Sequence, residues 1–401
     1  MSSEIMLPAG FRAAGICCGI KPSGRPDLAL FASDTAAVAA GVFTTNRVCG
    51  APVTISRSRV PSRTARAIII NSGNSNAATG TPGLADARAM TAETAALLGC
   101  DEHDVLVCST GVIGVPLPMA RLRQGIPAAA DALGASSVHL QQAATAMMTT
   151  DTFHKTASRE IRNSAGIVRV SGAAKGAAMI APNMATMLGV ILTDACLTPE
   201  EADLMLRRGV DRSFNCVSVD GHMSTSDTVL LLANGASGVT LNEAENARLA
   251  EAIREVCEEL ATSIIRDAEG ADHFITVDVA GFETRQQAER IAREICESAL
   301  VKTAVTGADP NWGRIVSAAG YAGVDFEPEH LSLRINGTEV YRSGTPAEFD
   351  AADLSRRMRD NRDVHFELTL AGGPCSGSQS ARFWTSDLTA EYVRLNSEYT
   401  T

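Results

Sequence analysis

Strand-like stretches recur along the whole of this sequence, at Val53–Ser56, Ala67–Asn71, Val105–Cys108, Ile167–Val170, Val190–Thr193, Val229–Leu232, Phe274–Val279, Leu331–Ile335 and Val364–Leu370. Each is a short run of β-branched or aliphatic side chains that must find a pairing partner, so sheet is a major component. Between them lie helices whose starts can be read residue by residue. Thr198-Pro199-Glu200-Glu201 supplies a capping hydroxyl, a proline at the first helical position and a reciprocating carboxylate, predicting a helix that ends near Gly209. Asn242 with Glu245 opens a second helix, on which Leu249, Ile253, Val256, Leu260 and Ile264 recur at steps of three or four and form one apolar stripe. Thr284 with Gln287 opens a third, carrying Ile291, Ile295 and Leu300, and Ala85–Leu98 reads as an alanine-rich helix. Strands and helices mix without strict alternation, which predicts a layered α+β or sandwich-like α/β architecture rather than a doubly wound sheet. No repeat, low-complexity stretch or Pro/Ser-rich linker marks a domain boundary.

A chain of 401 residues has room for two structural units or one large layered one. Acidic residues number 46 against 35 basic ones, a net charge of −11, so no uniform cationic field exists for a phosphate backbone or an anionic lipid surface. Apolar runs such as Ala36–Phe43 and Val229–Ala233 fall far short of the roughly 18–20 residues of a membrane span. Glu4 lies close to the start, no basic region precedes the first apolar stretch, and Arg12 interrupts it, so no secretory signal is expected and the cytosol is the expected compartment. Of the ten cysteines, Cys17 and Cys18 are adjacent and the rest are scattered singly, which suits buried small hydrophobes better than disulfides. The seven histidines show no HExxH pattern, so no metal is expected. The sequence also lacks GxxxxGK[ST], GxGxxG and GxSxG, the seats of nucleoside triphosphates, dinucleotides and elbow serines.

One segment stands apart from ordinary loops: Ala174-Lys175-Gly176 leads through Ala185 to Thr186, a single hydroxyl among apolar residues behind a glycine-bearing approach. On chemistry alone, Thr186 reads as a half-buried strand threonine bonded to backbone rather than as a nucleophile. The run KGAAMIAPNMATMLGVILTDA, however, closely resembles the processing site of the ornithine acetyltransferase family, the bifunctional glutamate N-acetyltransferases of arginine biosynthesis. The resemblance continues in order through GFRAAGICCGIKPSGRPDLAL, FTTNRVCGAPV, NSGNSNAATG, STGVIG, MTTDTFHK, SFNCVSVDG, RDAEGA, GADPNWGRI and the terminal NSEYTT, covering essentially the whole chain.

That resemblance implies a chain that cuts itself between Ala185 and Thr186, giving an α chain of residues 1–185 and a β chain of residues 186–401 that begins with the nucleophile. The implied fold is a layered αββα sandwich built from both fragments, with a smaller second α/β domain within about residues 280–380, assembled as an α2β2 heterotetramer or larger. The chemistry makes sense of it. A threonine hydroxyl needs a base, and the α-amine freed by the cut, with an intrinsic pKa of roughly 7.7–8.0, can take its proton. Acyl transfer also needs donors aimed at the oxyanion, and the resemblance places these at Thr110, through its hydroxyl, and Gly111, through its backbone amide. Substrate contacts map onto Thr149 (or its neighbour Thr150), Lys175, Thr186, Glu269, Asn396 and Thr401. Lys175 can pair with an α-carboxylate and Glu269 with an amine. A terminus with such a role must fold back rather than fray.

The chain departs from the family pattern at His222 and Met223, where relatives commonly carry an acidic residue and a threonine after VDG, and at Ser75, where alanine is usual. Asn71, Asn74, Asn76 and the segment Asp309–Arg314 read as turn and packing signatures. The expected activity is ping-pong transfer of acetyl from N2-acetyl-L-ornithine to L-glutamate, with no bound cofactor. An alternative adds acetyl-CoA as a second donor substrate. A hydrolase, in which water intercepts the acyl-enzyme, would release acetate without glutamate. A metabolite-binding protein would stay uncut and unacetylated.

Overall fold

The computed structural model describes residues 5–181 and 187–398. In chain order the strands and helices are β1 (Phe11–Ile16), β2 (Leu28–Phe43), α1 (Ala51–Arg57), β3 (Ser62–Asn74), α2 (Gly80–Leu98), β4 (Val105–Val112), α3 (Met119–Asp131), α4 (Ser137–Met147), β5 (Lys155–Asn163), β6 (Gly166–Lys175), β7 (Leu188–Thr193), α5 (Pro199–Asp211), β8 (Val217–Ser218) and β9 (Thr228–Ala233). They continue with α6 (Glu243–Arg266), β10 (Phe274–Phe282), α7 (Arg285–Glu297), α8 (Ala299–Thr306), α9 (Trp312–Gly320), β11 (Leu331–Ile335), β12 (Thr338–Arg342), β13 (Thr345–Pro346), α10 (Ala351–Asp360), β14 (Asp363–Leu370), β15 (Ser376–Ser386) and α11 (Ala390–Glu398). None of the described helices is long and apolar enough to cross a membrane.

These elements form two compact units, one reaching to Asn215 and resuming over Met223–Ile264, the other made of Cys216–His222 and the chain from Ile265 onward. Each holds one mixed sheet with helices layered on it, an α+β architecture. The first sheet runs β4-β3-β2-β9-β7-β6-β5, with β1 also pairing to β2. Its strands read as continuous apolar runs because both faces are covered. Leu28, Leu30 and Ala32 of β2 pack with Ile55, Met90, Leu122 and Ile126 from α1, α2 and α3. The alternate residues Ala29 and Phe31 join Ile68, Ile70, Val190 and Leu230, and Leu140, Ala143 and Met147 of α4, in a second core. The second unit's sheet runs β13-β12-β11-β14-β10-β15-β8.

The capping residues act as their chemistry predicts. Thr198 and Thr284 each form a reciprocal capping box, with Glu201 and Gln287. Asn242 and Glu245 exchange the same pair of bonds before α6. The stripe Leu249, Ile253, Val256, Leu260 and Ile264 is fully buried. Asn311 caps α9.

Two expectations are corrected. Val53–Ser56 is not a strand but most of α1: Gly50 is extended at the N-cap and Pro52 sits in the first turn, a helix start that outweighs the strand preference of Val53, Thr54 and Ile55. Burial of that face, with Val53 and Ile55 in the interior, holds the helix in place. Ser56 then donates its hydroxyl to the Val107 carbonyl at 2.7 Å and accepts the Val107 amide at 2.8 Å, on the edge strand β4. Leu300 does not extend the α7 stripe. Ser298 ends α7 and caps α8 through the Val301 amide, and the turn of direction leaves Leu300 61% exposed.

Candidate active site

In the first unit the residues matched to the oxyanion hole close β4. Thr110 is buried, and its strand runs parallel to β3 with Gly111 opposite Gly73. Gly111 has φ +131°, and a Cβ there would fall 2.4 Å from the Gly73 carbonyl carbon, so only glycine allows this approach. The turn after β3 is braced by its asparagines. Asn71 donates to the Asn74 carbonyl (2.8 Å) and accepts the Ser109 hydroxyl (2.5 Å). Asn74 donates to the Val115 and Pro116 carbonyls, and Asn76 to the Gly83 carbonyl. These are the packing roles expected of them, and Ser75 is satisfied likewise by the Val112 carbonyl at 2.8 Å.

Lys175, the last residue of β6, is 3% exposed. Its ammonium donates to Thr110 Oγ1 at 3.4 Å. The hydroxyl oxygen is thereby used as an acceptor, which leaves its proton to be donated elsewhere. β4 and β6 lie far apart in the sheet order, so the sheet curls, with α4 packed against both β3 and β6. The segment after Lys175 is no solvated glycine loop: Gly176, Ala177, Ile180 and Ala181 are all buried.

Asp151 was not singled out from sequence, yet it organises this end of the sheet. Its carboxylate accepts from Lys155 Nζ (2.6 Å), the Gly176 amide (2.7 Å) and the Thr149 amide (2.9 Å). Both Asp151 and Lys155 side chains are fully buried. Burial alone would raise the Asp151 carboxyl, but the Lys175 and Lys155 ammoniums and the Gly176 amide pull it down to about 2. Thr149 is therefore fixed by its backbone, half-buried beside Lys175's neighbour Gly176.

A second acidic residue also escaped notice. Asp227, fully buried before β9, accepts the Met187 amide on Oδ1 at 3.1 Å, and its Oδ2 finds no hydrogen-bond partner among the described residues. Burial pushes this carboxyl well above the ordinary range against the opposing pull of the Met187 amide, Lys175 and Ser224. No motif marks it; a buried carboxyl is visible only in three dimensions. Ala185, Thr186 and Thr401 lie outside the described residues.

In the second unit Glu269 occupies the turn after α6, half-buried, and Asn396 of α11 donates to its Oε2 at 3.1 Å. The same turn accepts the Thr389 hydroxyl on the Gly270 carbonyl at 2.5 Å, and Tyr392 donates to Asp220 at 3.0 Å, so α11 is tied down at three points. His222 is exposed, with its amide on Asp220.

The chain is 48% identical over 400 residues to the "Arginine biosynthesis bifunctional protein ArgJ" of Rhodopirellula baltica, covering 99% of this chain and 97% of that one. Among solved structures, the ArgJ protein of Bacillus halodurans matches with a TM-score of 0.50 and 33% identity over 52% of this chain and 98% of its own. An ornithine acetyltransferase from Mycobacterium tuberculosis, complexed with ornithine, matches with a TM-score of 0.42 and 41% identity over 45% of this chain and 96% of its own. The sequence model of the ArgJ family matches residues 12–401, and the chain belongs to that family.

Proposed function

We propose that the protein is a self-cleaving acetyltransferase of arginine biosynthesis that carries acetyl from N2-acetyl-L-ornithine to L-glutamate on Thr186. The observation that carries this reading is the convergence of Lys175 on Thr110 beside Gly111, in a chain of the ArgJ family. In the first half-reaction the Thr186 hydroxyl attacks the acetyl carbonyl and its proton passes to the Thr186 α-amine. Thr110 and Gly111 stabilise the oxyanion. The C–N bond then breaks, ornithine leaves with the returned proton, and an acetyl ester remains. In the second, the amine of glutamate attacks that ester and the hydroxyl is restored. Lys175 holds the substrate α-carboxylate.

The cut between Ala185 and Thr186 makes the α-amine available. In support, the Bacillus halodurans chain is matched over nearly all its length yet spans about half of this one, the size of one product of such a cut. The working form is then an assembly of both fragments, a heterotetramer or larger, in the cytosol. Intact mass spectrometry after brief exposure to N2-acetylornithine tests the whole reading. Fragments of 185 and 216 residues are expected, with one acetyl group gained on the larger. A single unacetylated chain would sink it.

The Rhodopirellula baltica relative is a bifunctional protein, which favours a second donor as well. With acetyl-CoA and glutamate, release of free thiol is expected at a rate that depends on glutamate. Thiol release absent under conditions that support transfer from N2-acetylornithine would leave the enzyme monofunctional.

A further inference from the structure

Asp227 stands directly before β9, and its own carbonyl accepts the Thr44 amide at 2.9 Å, just beyond the end of β2. Its Oδ1 accepts the Met187 amide at 3.1 Å, and the Met187 carbonyl in turn accepts the Thr228 amide at 3.1 Å. Met187, 1% exposed, is thus held by both of its backbone groups. It is the second residue beyond the proposed cut, and the amide that Asp227 holds is the one joined to the Thr186 carbonyl carbon. The clamp borders the site. Lys175, which donates to Thr110, acts on the Asp227 carboxyl, and the Thr228 side chain bonds the Cys108 thiol two residues before Thr110.

Asp227 differs from the carboxylates that brace the chain elsewhere in the first unit. Asp27 and Asp194 are equally buried, and each uses both of its oxygens: Asp27 for the Cys18 and Ile20 amides, Asp194 for those of Arg169 and Ala9. Asp227 Oδ2 finds no such partner among the described residues, and a buried polar atom left so calls for an explanation. Burial favours the neutral acid here. A neutral carboxyl accepts on one oxygen and donates from the other, a pairing that asparagine reproduces. The cut changes what such a clamp must do. Before it, Thr186 is tethered on both sides; after it, Thr186 is a chain terminus, and termini fray unless tied down.

We propose that Asp227 is a positioning residue for the nucleophile: through the Met187 amide it keeps Thr186 aimed at the acetyl carbonyl once the chain is cut. This rests on the transferase reading above. The test follows acetylation by N2-acetylornithine over time, by quenched intact mass spectrometry, in wild type, Asp227→Asn and Asp227→Leu. Leucine offers the Met187 amide no acceptor, and since a misplacement of about 1 Å costs about 10²-fold, Asp227→Leu should acetylate about 10–100-fold more slowly. The cut protein should still reach full acetylation, and KM in steady-state transfer should stay close to the wild-type value. Asp227→Asn keeps an acceptor and should recover most of the rate. A role confined to stability would instead lower the fraction of chains acetylated and leave the rate of the remainder unchanged. That outcome overturns the proposal, as does an asparagine variant no faster than the leucine one. Should Asp227→Leu stay uncut or fail to fold, Asp227→Glu decides in its place, because it keeps the carboxyl but shifts it by one methylene: slower acetylation is expected, and a wild-type rate overturns the proposal. Wild-type protein that gains no acetyl group would refute the transferase reading itself.

Discussion

A Thr186→Ala chain is expected to remain one polypeptide of 401 residues, to gain no acetyl group, and to lose transfer by at least about 10³-fold. Both losses follow from one missing hydroxyl. Without it nothing attacks the Ala185 carbonyl to release the amine, and nothing takes the acetyl from the donor. A Thr186→Ser chain keeps a hydroxyl and should cut and transfer, more slowly. The fold around the site should persist, because Met187 remains anchored by its amide on Asp227 and Thr110 by its strand. Denaturing gels and intact masses read the outcome. A Thr186→Ala protein that is cut at the same bond would place the nucleophile elsewhere.

The second large effect is on stability. Asp151→Ala strips the partner from a fully buried ammonium, leaves the Gly176 and Thr149 amides without their acceptor, and sets Lys155 and Lys175 against each other. Removing one member of a buried pair costs about 3–5 kcal/mol. The first thermal transition, followed by circular dichroism, should drop sharply and activity should vanish with it. The double change Asp151→Leu with Lys155→Met removes both charges and should recover much of the stability but little of the activity, since Gly176 beside Lys175 still lacks its acceptor. A double variant no more stable than Asp151→Ala would mean that the two amides, not the ion pair, dominate. The pH dependence has a defined sign. Asp151 is held below its ordinary carboxylate value, so its stabilisation is present above that value and fades as pH falls from about 4 toward about 2.

Much of the frame was legible because its signals are local. A capping box such as Thr198 with Glu201 announces itself over four residues, and the α6 stripe over about four turns. The misreadings arose where local preferences compete. Val53-Thr54-Ile55 favours a strand by composition, but Pro52 and the buried face decide for helix. Leu300 follows Ile295 by five residues, and Ser298 starts a new helix between them. Thr110, Gly111 and Lys175 were legible through family resemblance. Asp151 and Asp227 were not, since what distinguishes each is who faces it across the fold: Gly176 and Lys155 for the first, Met187 for the second.

Ser56 occupies both backbone groups of Val107. An edge strand with free N–H and C=O groups is a template for pairing with another chain, the route to fibrils and exchanged strands. β4 is such an edge, and near its end stand Thr110 and Gly111, the residues proposed above to hold the oxyanion. By closing the strand midway with one hydroxyl and a short helix, the protein keeps the reactive end open while denying the rest to self-association.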